Sequence, residues 1–502
     1  MHRPPTAAEA EVAEELAVVR PALVARFTAE LPGARAAVLT RLWRALTHEP
    51  LPWVARRDGG LLRLADGRRL RGPVPDPYAT GAYVTAVDLD GVPQDDPERL
   101  MAALGVPHGA AFARELGHSA ASLALSRANQ EPPGERWPDS VWEWERRVVD
   151  GHPFHPGCRA RPDFSVAEQL AYAPEHGPLV ELGLLPVRPE ACLLAGDWPE
   201  ELRDGGRVLV PVHPWQAAHV LKPSGDGALA GVLPARPLMS LRTLAPCGGD
   251  GGGPHVKTAL SARLTSSVRD ISVPSVTGAV ALSEFGQRVA ERADGLLHVT
   301  RTLGAATDGT RDLAAVLRES PRAYARPGEH VVPVAALPTT GLPDSPGWLA
   351  EFARLALTAG LRLLELGVAL EAHGQNLLVV LGPSGAPLRL VYRDLADIRV
   401  SPARLARHGL DADGLPARVR TDDVTALRRK LFGSLVAGAL AGTAGSGTAL
   451  RTALESAVPD LPPGPDLAAL RQEPLPTKAL TLMRLSPGVP GDQWTTLPNP
   501  LA

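Results

Sequence analysis

Residues 371–395 read EAHGQNLLVVLGPSGAPLRLVYRDL. Two apolar runs, NLLVVLG and PLRLVYR, flank the turn chemistry of PSGAP, so the segment predicts a β-hairpin. A hairpin brings Asn376 and Asp394 to the same end of adjacent strands, which lie about 4.7–4.9 Å apart. An amide oxygen and a carboxylate so placed suit Mg²⁺, which takes hard oxygen ligands and draws the balance from waters and phosphates. Glu371 stands five residues before Asn376, the place at which protein kinases carry an acidic catalytic residue ahead of their metal-binding Asn. An Asn and an Asp that cap a hairpin and its following turn would look the same, and both readings stay open on this stretch alone.

Around the hairpin, the helical spacing of PGWLAEFARLALTAGLRLLELGV predicts a helix of about six turns, with further helical runs near 422–444, 447–456 and 476–485. Residues 326–502 therefore read as an α+β unit. Residues 151–325 read as an antiparallel, β-rich unit with short runs such as RVLVPVH and HVKTALSARL. Residues 1–150 are mixed, with helices over 7–30 and 34–48 separated at Pro32-Gly33, a hairpin around Asp66-Gly67, and helices near 109–129 and 138–149. Three packed units in 502 residues agree with the size at which single cores stop growing.

Hydrophobic residues make up 44%, charged residues 21%, and the net charge is −3. That balance argues against a general nucleic-acid binder and against disorder. Positive charge is almost all Arg; Lys occurs only at 222, 257, 430 and 478, where a compact ammonium is either wanted or merely left by drift. Cys158, Cys192 and Cys247 have neither disulfide-framework nor CxxC spacing. The acidic N-terminal stretch and the lack of a run of roughly 20 apolar residues lead us to expect a cytoplasmic protein.

Three further clusters carry polar chemistry. In GHPFHPGCRARPDFS, residues 151–165, two His-Pro pairs stiffen the backbone around Phe154, and Arg159 and Arg161 alternate on an extended segment, so they and His155 are expected to converge on a phosphate or carboxylate. In SLRT and HVKTALSARLTSSVRD, Ser240 and Arg242 sit two apart on an expected strand, followed by Lys257, Thr265 and Arg269, all able to donate to an oxyanion. A surface loop and a solvated strand face are the plain alternatives. VHPWQ, with His213 and Gln216, needs only a buried strand ending in a His-Pro turn. The Gly-rich CGGDGGGPH lacks the order of a P-loop and reads as a connection.

Taken in order, HPFHPGCRAR, VHPWQ, SLRT, Lys257 with TSSVR, EAHGQN and RDL resemble the IucA/IucC-type siderophore synthetases that work without a nonribosomal peptide synthetase. The resemblance implies an α+β, cupped-hand fold with an N-terminal thumb (1–150), antiparallel β-rich fingers (151–325) and a mixed palm (326–502), commonly as a homodimer. It implies ATP-dependent activation of a carboxylate, citrate or a related di- or tricarboxylate, as an acyl-adenylate, then condensation with an amine or hydroxyl. On matching positions, Arg159, Ser240, Arg242, Lys257, Thr265 and Arg269 would hold the phosphates, and Glu371, Asn376 and Asp394 the nucleotide and Mg²⁺. His155, His373 and Arg269 would act at the reacting carboxylate, with Thr265 beside it. Two departures stand out: Arg159 replaces the family's Lys, and Asp163 replaces a Gly and is expected to set an acid beside the anion site. The rival readings are a small-molecule kinase using Asn376 and Asp394, and a catalytically altered siderophore-binding or reductase-like homologue.

Overall fold

The computed structural model describes residues 6–131, 136–222, 228–248, 253–265 and 267–502, so part of the Gly-rich connection (249–252) and Ser266 of TSSVR lie outside the described residues. The fold is mixed α and β. Helices α1 (Ala7–Val19) and α2 (Val24–His48) open the chain, α1 under a capping box between Thr6 and Glu9. Pro32-Gly33 does not separate two helices as expected; it lies inside α2. An internal Pro costs about 3 kcal/mol of helix propensity, but Leu39, Leu42, Trp43 and Leu46 behind it are wholly buried, and each such side chain contributes roughly 1.5–3 kcal/mol. Burial wins and the helix continues. It packs on α3 (Pro97–Leu104) and α4 (Gly109–Ala128), beside a five-stranded antiparallel sheet between residues 54 and 94 that contains the Asp66-Gly67 hairpin.

A nine-stranded sheet follows, with β1 (Thr243–Pro246), β2 (His255–Thr258), β6 (Thr302–Thr307) and β7 (Ala314–Arg318) adjacent in the order β6-β7-β2-β1, all antiparallel. Between β2 and β6 come the hairpin of β3 (Leu260–Leu264) and β4 (Ser267–Arg269) and a helix at Ala279–Ala290 that the β-like pattern did not reveal. SLRT is not strand throughout: residues 240–242 form a turn and only Thr243 enters β1.

The quoted stretch is the expected hairpin. β9 (Leu377–Leu381) and β10 (Pro387–Tyr392) pair with Leu377 opposite Tyr392, and the sheet is completed by β5 (Leu297–Val299), parallel to β10, and β8 (His330–Pro333). The predicted six-turn helix is α5 (Pro346–Leu366). Residues 476–485 divide differently from expectation: β11 (Leu475–Lys478) pairs with β12 (Trp494–Leu497), and only Leu480–Leu485 is helix. Pro476 and Thr477, poor helix formers, explain the strand. Among the described residues no helix is long and apolar enough to cross a membrane.

His213 and His255 are buried, and burial lowers each from the ordinary imidazole value of 6.5 to about 3. Between those values the unfolded chain binds protons that the folded chain refuses, so stability is complete above about pH 6.5 and is lost as pH falls. Urea denaturation should show a lower midpoint near pH 5 than near pH 7.5, with a slope of up to about 1.4 kcal/mol per pH unit per histidine; His255→Gln should flatten that slope.

Candidate active site

Strand register places two cations side by side. Lys257 on β2 stands opposite Val316 of β7, and Arg318, two residues further along β7, stands opposite His255. Both reach Asp394, just past β10 of the other sheet: Lys257 Nζ lies 2.7 Å from Oδ2 and an Arg318 guanidinium nitrogen 3.0 Å from Oδ1. Burial opposes ionisation of Asp394, but Arg318 and Lys257 outweigh it and hold the carboxyl well below its ordinary range. Lys257 is lowered to about 7 by burial and by the repulsion of Arg318, which the attraction of Asp394 offsets only in part.

Three non-glycine residues here take the left-handed conformation: Leu241 (φ 61°), Thr265 (φ 59°) and Asp394 (φ 75°). Such backbone is costly for side chains with Cβ and persists only when its surroundings enforce it. At the first turn, Ser240 Oγ donates to Thr243 Oγ1 at 2.9 Å and accepts from the Thr243 N–H at 3.1 Å. Arg242, lowered to about 10 by burial, donates to the carbonyls of Arg269 and Asp270, the latter at 2.9 Å. Thr265 sits between β3 and β4, its N–H bound to the Ala160 carbonyl at 3.0 Å, which ties this turn to the His-Pro loop. Arg269 ends β4; burial lowers it, and Asp394 and Glu371 act against that shift.

In the His-Pro loop, the Gly157 N–H donates to His155 Nδ1 at 2.9 Å. A Cβ at Gly157 would stand 3.2 Å from His155 Cε1, so the loop closes best around glycine. With Nδ1 accepting, the neutral ring carries its proton on Nε2, which is buried and has no partner. Burial, then Arg484, Arg269 and Arg41, push His155 down to about 3. His373 is built alike, its Nδ1 accepting from the Gln375 N–H at 3.3 Å, and burial lowers it.

Arg159 and Arg161 do converge, but on Glu175. Arg161 meets that carboxylate at 2.7 Å and Arg159 at 3.5 Å, while Arg159 also donates to the carbonyls of Val148 and Val149. Burial resists the charge on Glu175, yet the two guanidinium groups hold it well below its ordinary value. Asp163 is not beside the anion site: its carboxylate accepts from the Arg263 N–H at 2.6 Å. VHPWQ is structural, with Gln216 bound to Ser261 and the Asp312 carbonyl and Trp215 stacked on Phe164 at 5.6 Å.

At the hairpin end, Arg393 donates twice to the Gln375 carbonyl (3.0 and 2.8 Å) and pairs with the buried Glu145 at 2.7 Å. Glu145 in turn accepts from the Met239 N–H, so one buried bridge joins the HGQN turn, the helix Val141–Arg146 and the SLRT turn. Glu371 bonds to Lys478 at 2.9 Å and Lys430 at 3.4 Å; these ammonium groups also pair with Asp492 (3.1 Å) and Asp397 (2.8 Å). The Asn376 amide nitrogen lies 3.5 Å from the Glu371 carbonyl.

His155, Arg159, Ser240, Arg242, Lys257, Thr265, Arg269, Glu371, His373, Asn376 and Asp394 all line one cleft of about 990 Å³. Sequence reading missed Arg318, Asp397 and Asp492. It did hold a signal for Lys430 and Lys478, because three of the chain's four lysines line this cleft. The walls set several cations and two neutral N–H donors around a space that admits a polyanion. Among the described residues no three His, Cys, Asp or Glu side chains form a metal cage, so any cation would take much of its shell from ligand and water. The oxygen donors Asn376 and Asp394, at one hairpin end, fit Mg²⁺ on those terms.

Residues 140–339 match the IucA / IucC family and residues 347–488 the ferric iron reductase FhuF-like transporter family. Over residues 140–339 the chain is thus similar to the IucA/IucC family. Among its relatives are the uncharacterized protein y4xN of Sinorhizobium fredii, 24% identical over 75% of this chain and 73% of that protein. Another is a citryl-spermidine/3,4-dihydroxybenzoyl-citryl-spermidine:spermidine ligase of Bacillus anthracis, 25% identical over 50% of each chain. The chain thus spans about three quarters of the first and half of the second. The fold is that of the petrobactin biosynthesis protein AsbB of Bacillus anthracis (TM-score 0.76, 18% identity, 99% of this chain and 98% of that). ATP-bound aerobactin synthetase IucA of Klebsiella pneumoniae shares it (TM-score 0.71, 19% identity, 93% and 99%). Residues 347–488 contain no cysteine, hence no thiolate set for an iron–sulfur cluster.

Glu175→Gln should leave two buried guanidinium groups without their counter-charge. Denaturant unfolding is expected to show a loss of about 3–5 kcal/mol, the usual cost of breaking a buried pair from one side.

Proposed function

We propose that the protein is an ATP-dependent carboxylate–amine ligase of siderophore type that activates citrate or a related di- or tricarboxylate as an acyl-adenylate. The observation that carries this reading is the cleft itself, which Arg242, Lys257, Arg269 and Arg318 line together with His155 and its unpartnered Nε2–H. The relatives' names support the acid and the ATP: a citryl-spermidine ligase and an ATP-bound aerobactin synthetase. An amine or hydroxyl is the nucleophile, Thr265 flanks the acid, and Ser240 and Arg159 belong to the phosphate-binding wall, Arg159 through the Glu175 cluster. We further propose a thumb at 1–150, fingers at 151–325 and a palm at 326–502 in a cupped hand, working as a cytoplasmic homodimer.

In the first step a carboxylate oxygen attacks the α-phosphorus; the bond to the bridging oxygen breaks and pyrophosphate leaves with the electron pair. Arg242, Lys257 and Arg318 neutralise that leaving charge, and Arg269 lies between phosphate and acid. His155 and His373 act as neutral N–H donors that orient the carboxylate, since their Nδ1 atoms are already occupied. In the second step the amine nitrogen attacks the acyl carbon, AMP departs, and the amine proton is lost to solvent. Mg²⁺, held at Glu371, Asn376 and Asp394, would offset phosphate charge. Glu371 would serve there as a bridge, since Lys430 and Lys478 already bind it.

Product analysis tests the class: acid plus amine should give AMP and pyrophosphate, whereas ADP without pyrophosphate would establish a kinase. Hydroxylamine trapping over a panel of acids should give an acyl-hydroxamate with at least one; failure across the panel with ATP binding intact would mean a non-catalytic binder. Arg269→Ala and His155→Ala should each lower kcat about 10²–10³-fold with the far-ultraviolet dichroism unchanged. Asp394→Asn should strengthen ATP binding in chelator, because Lys257 and Arg318 lose their internal counter-ion, and should abolish the gain in affinity that Mg²⁺ confers; calorimetry reads both.

A further inference from the structure

Behind the Lys257–Arg318–Asp394 group lies a second cavity of about 120 Å³. Arg242, Lys257, Thr300, Arg318, Asp394 and Ala396 line both this cavity and the main cleft. The ion group is therefore a partition with space on both sides, rather than an end wall. On the far side the lining adds Asp270, Ala279 and the exposed Arg418, together with apolar residues such as Ile271, Leu282 and Pro416.

Charge is unbalanced there. Arg242, Lys257, Arg318 and Arg418 face Asp394 and Asp270, and Asp270 is already paired with Arg311 at 3.3 Å. Arg242 and Arg418 donate to backbone carbonyls, Arg418 to that of Ala396 at 2.5 Å, and Arg242 is attracted through space by Asp394 and Asp270, the same two acids the other cations share. The Thr300 hydroxyl, in a residue 5% exposed, is buried without a hydrogen-bond partner. A buried hydroxyl so placed normally finds a partner in protein, water or ligand. The space equals roughly four waters at about 30 Å³ each, too little for a nucleotide.

We propose that this cavity is a second anion site, for inorganic pyrophosphate, reached through the partition from the cleft. The identity of the occupant rests on the adenylation reading; the site itself rests on the cavity and its charge. When pyrophosphate takes Lys257 and Arg318 from Asp394, the partition opens toward Arg418. The leaving group then departs on the side away from the activated acyl group, and the front of the cleft is free for the amine.

Calorimetric titration of the full chain with inorganic pyrophosphate, and separately with ATP, tests the proposal. Two variants line only the rear cavity: Arg418→Glu reverses the charge at its mouth, and Ala279→Leu fills it. Each should weaken pyrophosphate binding about tenfold or more, while ATP affinity, which also reports that the protein is folded, stays as in wild type. Unchanged pyrophosphate affinity in both variants overturns the proposal, as does parallel weakening of ATP and pyrophosphate, or no pyrophosphate binding by the wild type. Formation of ADP in the product analysis would sink the ligase reading while leaving these binding outcomes to decide the cavity.

Discussion

The carboxylate of Asp394 holds together two parts of the molecule that have no shared strand. It sits at the end of one sheet's hairpin and neutralises Lys257 and Arg318, which project from neighbouring strands of another. Two such cations side by side and largely removed from water would repel strongly, and burying each costs several kcal/mol. The single acid between them makes their burial tolerable and draws the hairpin against the larger sheet. The cleft is the space left around that junction, and its surplus of positive charge follows from the same arrangement.

The rest of the site is held rigid by groups that never need to meet a ligand. Arg393, Glu145 and the Met239 N–H tie the HGQN turn to the SLRT turn, and Thr265 ties the β3–β4 turn to the His-Pro loop. Three left-handed residues survive where these ties over-determine the backbone. Pre-positioned donors of this kind cost no reorganisation when charge develops, which is why a neutral histidine with a fixed proton is useful there. Burial lowers both imidazoles, with Arg484, Arg269 and Arg41 adding to it at His155, and neutral rings fit hydrogen-bond donation better than proton abstraction.

Much of this was legible in local pattern. The hairpin at 371–395, the six-turn helix before it and the antiparallel character of the middle of the chain follow from periodicity and turn residues, and all eleven residues singled out for the site line one cleft. Where reading failed, a distant partner decided. Arg159 and Arg161 alternate as an anion-binding pair would, yet the anion they find is Glu175, whose position no spacing announces. Asp163 looked hostile to the site and instead accepts from the Arg263 N–H near the end of β3. Pro32 read as a stop, but the apolar residues beyond it are buried on every side of the helix.

By itself, then, the amino-acid sequence determined the hairpin at 371–395, the long helix before it and the antiparallel middle of the chain, and it marked side chains chemically suited to phosphate and carboxylate, because these depend on neighbours a few residues away. Only the tertiary structure decided that Arg318 joins Lys257 at Asp394, that Lys430 and Lys478 share Glu371, and that a small cavity lies behind the partition. Coulombic pairing and burial act through space, between residues as far apart in the chain as Lys257 and Asp394, and sequence spacing carries no measure of that distance.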